Sequence, residues 1–574
     1  VSASPKEEAG PSTSSDVVAS STSTSPSTSP STSPSTSPST SRTTSTSARA
    51  RWVAPSLALL AFALCVVNAW VSDDAYITFR VIENVLRGDG LVWNPGERVM
   101  VYTHPLWLAL LLPTSAVVGV WWASVGLGLA FTAGSLRLYT RELVNDPRRS
   151  SAVDPADPAK AALVLGAFAL AKTTVHFATS GLETALLVFL TLIVLLRADL
   201  PRLTPRTSDE RASTARDLRH LGLLVAALAL TRPDAPLLVL PACVLAFRRT
   251  RALGLRTQLR ALAPALALLL LLALVAAFVY GHPLPNTALA KLGHGVPRGE
   301  LLRQGMAYLA SVVAWDPVVV VVIVLALVAG RAHRAWTLGI ALHLAYVTWI
   351  GGDFMNGRFY LVPFAVSLLV LARTSSPGPR VLAPTVLALI LLGTVAAERP
   401  PFDVLLPNAH FGADQSVNGV GVADEQRYYL LATGLFHGAH PPRHVNYRSG
   451  TQLREREVIV ARAIGFLGYG AADRATVIDP IALADPFLAR FPAAHDPSWR
   501  VGHIRRALPA GYEESVRTGA CVMEPALCDA WRDVRLVTRG PLFDEARRAA
   551  LWRVWSGRFD DGVDVARIFV NVEP

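Results

Sequence analysis

Charge and cysteine are what this sequence has little of. Charged residues make up 17% of its 574 positions, and there are four cysteines. A soluble chain of this length needs charged side chains to cover its surface. Here 51% of residues are hydrophobic and mean hydropathy is +0.37, which excludes that class and points to many membrane spans. No zinc-finger spacing and no basic-aromatic face occurs. The formal net charge of +11 therefore reads as arginine gathered in cytoplasmic loops, and nucleic acid is excluded as a partner. Cys65 and Cys243 lie in apolar runs and read as packing residues. Cys521 and Cys528 sit in a polar region and suit a short-loop disulfide if that region is extracytoplasmic; no nearby His or further Cys makes them a zinc site.

What is present divides the chain into three. Residues 1–48 are a Ser/Thr/Pro tract built on the repeat Ser-Thr-Ser-Pro, with no apolar surface to offset ordering entropy, so a disordered tail is expected. The tract could pass for a glycosylated stalk, but Arg49 and Arg51 before the first apolar run place it in the cytoplasm. That run lacks a suitable cleavage site and reads as a retained anchor rather than a signal peptide. Residues 49–398 form a membrane module. Walking the arginines gives about eleven spans, near 52–71, 119–137, 160–178, 182–197, 221–231, 234–247, 262–281, 312–330, 336–350, 359–373 and 381–397. The stretch 105–118 is assigned to a helix near the outer interface. Residues 399–574 then lie outside, and their mixed patterns with many Pro and Gly suggest an α/β domain.

This walk puts the polar clusters on the outer side. Asp73 and Asp74 follow the first span directly and open a polar stretch, read as a loop, that runs to about His104. Carboxylates are costly near hydrocarbon, so a pair at a helix exit suggests a water-facing site; as a structural alternative, Asp74 caps a helix beginning near Ala75. Gly181-Leu182-Glu183-Thr184, Thr231 to Asp234, Pro285-Asn286-Thr287 with Lys291, and Gly351-Gly352-Asp353 with Asn356 and Arg358 converge on the same side. Glu183 and Asp234 read first as partners of nearby arginines. Lys291 and Arg358 oppose the positive-inside bias, which phosphate binding would justify. A transporter of lipid-linked sugars or other solutes is the rival class, but there is no half-to-half repeat and the polar groups sit at span ends rather than midplane.

Several of these motifs in order resemble one family. Asp73-Asp74-Ala75-Tyr76-Ile77-Thr78-Phe79-Arg80, Gly90-Leu91-Val92-Trp93-Asn94-Pro95-Gly96-Glu97-Arg98 and Tyr102-Thr103-His104-Pro105 resemble the first outer loop of GT-C-fold membrane glycosyltransferases. Within that fold they resemble the terminal β-(1→2)-arabinofuranosyltransferases of mycobacterial cell walls and their bacterial relatives. The resemblance runs on through Gly181 to Thr184, Pro285 to Thr287, Gly351 to Met355, Asp424-Glu425-Gln426-Arg427 and Gly465-Phe466-Leu467-Gly468, covering roughly residues 52–520. It implies a polytopic α-helical GT-C protein of the cytoplasmic membrane, with its C-terminal domain extracytoplasmic. The implied donor is a polyprenyl-phosphate sugar, arabinofuranose first, and the acceptor a cell-envelope glycan. By this resemblance Asp73 is the base and Asp74 its assistant. Lys291 and Arg358 would steady the leaving phosphate, while His104, Glu183, Asn286 and Asp353 would bind substrate. Asp73, Asp74 and Asp353 could supply oxygen ligands to a divalent metal, and metal dependence is left open.

Overall fold

The computed structural model describes residues 41–144, 157–199, 207–292, 295–375, 379–396, 400–405, 416–438, 440–494 and 499–556, with the side chains of the first helix described from Trp52. Most of the Ser/Thr/Pro tract falls outside these residues. Its last part does not: helix α1 (Ser41–Val67) begins within the stretch assigned to the tail.

Helices dominate. After α1 come α2 (Asp73–Arg87), α3 (Pro105–Val118), α4 (Val120–Val144) and α5 (Thr184–Ala198). Two helical stretches, Leu255–Tyr280 and Pro317–Trp349, are long and apolar enough to cross a membrane by length and composition. The second contains a 3-10 turn at Gly330–His333, where the sequence separates two spans. Shorter apolar helices at Trp52–Val67, Pro105–Val118, Pro158–Leu170, Thr184–Ala198 and Arg380–Ala396 fall on or beside other expected segments.

The helix Leu361–Arg373 is the centre of the bundle. Every residue from Leu361 to Ala372 is buried, and α5 and the helices Pro317–Ala329 and Arg334–Trp349 pack around it. A helix apolar on all sides needs an apolar environment around it, and here other helices supply it. Elsewhere close approach is set by glycine: Gly339 lies against the Leu238 carbonyl with no room for a Cβ. The helices Arg334–Trp349 and Pro236–Arg249 therefore meet backbone to backbone, as small residues permit.

The expected loop after Asp74 is, over its first half, helix α2. Tyr76, Phe79 and Ile82 recur every third residue and are buried, which gives the segment a face to pack. Gly88 ends the helix in the left-handed region (φ 93°), returning its N–H to the carbonyls of Asn84 and Val85. The partner of α2 comes from the far end of the chain. Helix α9 (Ile464–Ala471) packs across it, with the Tyr76 ring 4.7 Å from Phe466 and 5.1 Å from Tyr469. Between α5 and α9 lie, among other helices, α6 (Asn286–Leu292), α7 (Arg298–Trp315) and α8 (Glu425–Thr433).

Among the described C-terminal residues the β structure is small. Strands β1 (Glu457–Val460) and β2 (Ala475–Ile478) pair in parallel, Glu457 opposite Ala475 and Val460 opposite Ile478. Parallel strands need a crossover, and α9 supplies it. Asn94 fastens the first outer segment to this sheet: its Nδ2 donates to the Val477 carbonyl at 3.1 Å and its Oδ1 accepts the Val477 N–H at 3.0 Å. Arg80, stacked 4.2 Å over Trp93, donates to the Ala475 carbonyl. Cys521 and Cys528 form the disulfide suggested by their spacing.

Candidate active site

Asp73 and Asp74 occupy the first turn of α2, with Ser72 as the N-cap. The N-terminus of a helix favours negative charge, so both carboxylates are placed where backbone dipoles support them. Their surroundings differ. Asp73 is buried under α9, and its Oδ1 accepts the Phe466 N–H at 2.8 Å. Burial raises its pKa to about 7, with the charge of Asp74 adding to the rise and the backbone N–H groups of Phe466 and Gly465 opposing it. Asp74 is half-buried and faces the cations. Burial also raises its pKa, while Arg358 and then Lys291 pull it down.

The contact between α2 and α9 leaves no slack. A Cβ on Gly465 would stand 2.6 Å from Asp73 Oδ2 and closer still to the Asp73 carbonyl. Gly465→Ala is thus expected to push α9 from the carboxylate, at a cost of about 1–3 kcal/mol. Thermal unfolding and turnover of the variant should both decline, turnover at least tenfold; an unchanged pair of values would remove α9 from any part in positioning Asp73.

The remaining candidates arrive from distant segments. Arg358 makes a two-pronged pair with Asp353, Nε to Oδ2 at 2.5 Å and Nη2 to Oδ1 at 2.8 Å, and both residues are buried. Lys291, near the end of α6, is exposed. Protein crowded around this accessible side chain strips part of its hydration and, with the charge of Arg358, lowers its pKa, while Asp353 and Asp74 raise it. His104 is buried with both ring nitrogens engaged, Nε2 3.0 Å from Thr78 Oγ1 and Nδ1 3.3 Å from Glu183 Oε2. Glu183 in turn meets Arg232 at 3.3 Å, and Arg232 pairs with Asp234 at 3.0 Å through both Nε and Nη2. A chain of alternating charge thus fixes the His104 ring beside α2.

Asn286 is used differently from the sequence expectation. Its Nδ2 donates to the carbonyls of Ala482, Leu483 and Asp485, so its amide nitrogen holds the C-terminal segment in place. Glu425, the first residue of α8, is a group to which sequence reasoning assigned no role. Burial and the charges of Asp74 and Asp73 hold its carboxyl well above the usual carboxylate range. The Asp-Glu pair at 424–425 was a visible signal, but nothing in the sequence says that Glu425 meets the acids of α2. Its neighbour Asp424 belongs to a separate polar cavity of about 190 Å³, lined by Lys172, Trp315, Asn356 and Asn418 among others. Among the described residues no group of three His, Cys, Asp or Glu side chains is arranged to hold a metal ion, and of the acids that could supply oxygen ligands Asp353 is taken by Arg358.

No protein-family model matches the chain. It is 29% identical over 347 residues to the terminal beta-(1->2)-arabinofuranosyltransferase of Corynebacterium glutamicum, covering 55% of this chain and 49% of that protein. Against the protein of the same name from Mycobacterium tuberculosis it is 29% identical over 340 residues, covering 51% of each. The chain therefore spans about half the length of the curated relatives it matches, and the resemblance read from its motifs is borne out by them. Among solved structures it is similar to an Archaeoglobus fulgidus oligosaccharyltransferase (TM-score 0.43, 14% identity, 75% of this chain and 62% of that one). The similarity to the oligosaccharyltransferase AglB of the same organism, in complex with an inhibitory peptide and a dolichol-phosphate, has TM-score 0.45 and 11% identity over 83% of this chain and 68% of that one.

Proposed function

We propose that this chain is a membrane glycosyltransferase that moves a sugar, arabinofuranose first, from a polyprenyl-phosphate donor to a cell-envelope glycan. The reading places transfer on the outer side of the cytoplasmic membrane, with about eleven spans, the N-terminal tail inside and residues 399–574 outside. One observation carries it: an acid pair at the start of α2 shares its surroundings with Lys291 and Arg358, cations delivered from elsewhere in the chain. The similarity to two arabinofuranosyltransferases supports the choice of sugar.

The chemistry assigned is a single displacement. The acceptor hydroxyl oxygen attacks the anomeric carbon and gives its proton to Asp73, while the bond from that carbon to the phosphate oxygen breaks. The departing polyprenyl phosphate keeps the electron pair, and Lys291 and Arg358 meet its charge. Asp74, between acid and cations, orients the acceptor. His104, held by Glu183 and Thr78, and Asp353, held by Arg358, line the sugar, whereas Asn286 acts by holding the C-terminal segment. Protein reconstituted in nanodiscs, given polyprenyl-phosphoryl arabinofuranose and an arabinan oligosaccharide, should lengthen the oligosaccharide by one residue. Absence of transfer from that donor and from other polyprenyl-phosphoryl sugars would overturn the reading.

A further inference from the structure

Away from the acids, α1 and α4 line an open apolar groove of about 590 Å³. Its α1 wall is Pro55, Leu59 and Phe62 with Ala58 between them, positions that share one helix face. Leu59 is 69% exposed although it lies inside the groove. Pro55 cannot donate to the carbonyl one turn back, and a proline inside a helix bends it. That gives a local reason for two neighbouring helices to stand apart here. The α4 wall runs from Ala133 and Leu136 past Arg137, Thr140 and Arg141 to Val144, with both arginines exposed.

The two guanidinium groups set the chemistry of the occupant. They lie four residues apart, roughly 6 Å along the helix, on the face that closes the groove. Among the described residues no acid lines it. The neighbouring carboxylate, Glu142, is turned to another partner and takes Arg373 at 2.7 Å. Thr140 donates its hydroxyl to the Leu136 carbonyl and offers the groove no free donor. The result is an apolar slot with two positive charges along its α4 wall and, among the described residues that line it, no acid to balance them. A neutral detergent or a second apolar helix would fill the slot but leave the charges unmet.

We propose that this groove binds one anionic glycerophospholipid, an acyl chain lying against Leu59, Phe62 and Leu136 and the phosphate between Arg137 and Arg141. The inference rests on the membrane reading above, which puts both arginines at the cytoplasmic face, where anionic headgroups and basic side chains meet. The lipid site is separate from the outer acids and uses none of their residues.

The test uses the full chain in nanodiscs of mixed phosphatidylcholine and phosphatidylglycerol, released into detergent and weighed by native mass spectrometry. Wild type should retain one phosphatidylglycerol per chain in preference to phosphatidylcholine. Arg137→Gln with Arg141→Gln should lower that retention at least tenfold while the melting temperature holds, since both side chains are exposed. Leu59→Trp, which fills the slot and leaves the charges, should lower it as well. Equal retention of the two lipids, or full retention by both variants, would overturn the site. A chain dimer lost in the double variant would assign the groove to a second copy and equally overturn it. A protein that stays soluble without detergent or lipid would instead sink the membrane reading.

Discussion

Asp73→Asn should lower the turnover number for sugar transfer by about 10²–10⁴-fold, the range for loss of a general base, with donor affinity retained. The substitution is well suited to separate chemistry from structure. Asn keeps a side-chain oxygen to accept the Phe466 N–H, so the junction between α2 and α9 survives. What it removes is the ability to take a proton. In the wild type the same group sets a pH limb. Burial holds the Asp73 carboxyl up to about 7, and a base must be ionised to act, so the rate should fall as pH drops through about 7. The variant's residual rate should lack that limb.

Stability should move the other way. An aspartate in an unfolded chain titrates near 3.9, roughly three units below the folded value. Folding therefore favours the protonated form, and the stability this contributes is complete below about 4. It is lost as pH rises from about 4 to about 7 and stays lost above. Asn resembles the protonated acid at every pH, so above pH 7 the variant should be the more stable protein, by up to roughly a few kcal/mol. Loss of activity together with a raised melting temperature is a signature that mere disruption cannot produce. Unchanged turnover would move the base elsewhere, with Asp74 the next candidate because it faces the cations directly.

The sequence makes some of this site plain and conceals the rest for physical reasons. Paired acids after an apolar run, and cations at segments that the arginine pattern assigns to the outer side, violate general expectations and so stand out one by one. His104 and Glu183 stand out as polar residues beside apolar helices, and they meet at 3.3 Å. The helical state of α2 is harder to see, because its turn residues and charges mask the spacing of Tyr76, Phe79 and Ile82. The partner of Asp73 is harder still. It is a backbone N–H of Phe466, and every residue but proline has one, so no residue type announces it. Asn286 is ambiguous for a related reason: an amide beside a candidate site can serve backbone carbonyls as well as sugar hydroxyls, and its Nδ2 donates to three carbonyls. Glu425 feels the charges of Asp74 and Asp73 from more than 300 positions along the chain, a proximity that periodicity does not encode.

The second large effect concerns the two cations, which should fail in different ways. Arg358→Met leaves Asp353, only 3% exposed, without its two-pronged partner. Breaking a buried pair from one side costs about 3–5 kcal/mol, because an uncompensated charge remains. Burial works against the guanidinium charge, but Asp353 more than offsets it and holds the group above its ordinary pKa, so the arginine is charged at any working pH. The variant should melt well below wild type and lose transfer. Lysine is not a remedy, since it cannot reproduce the fork that meets both oxygens of Asp353. Lys291→Met should leave melting nearly unchanged, because the side chain is exposed, yet raise KM for the lipid-linked donor at least tenfold. The deciding variant combines Arg358→Met with Asp353→Leu. Removing both charges should recover most of the lost stability, as replacement of a buried pair by apolar groups often does. If the pair only braces the fold, transfer returns with stability. If Asp353 lines the sugar and Arg358 meets the leaving phosphate, the double variant is folded and inactive, and that is the outcome expected here.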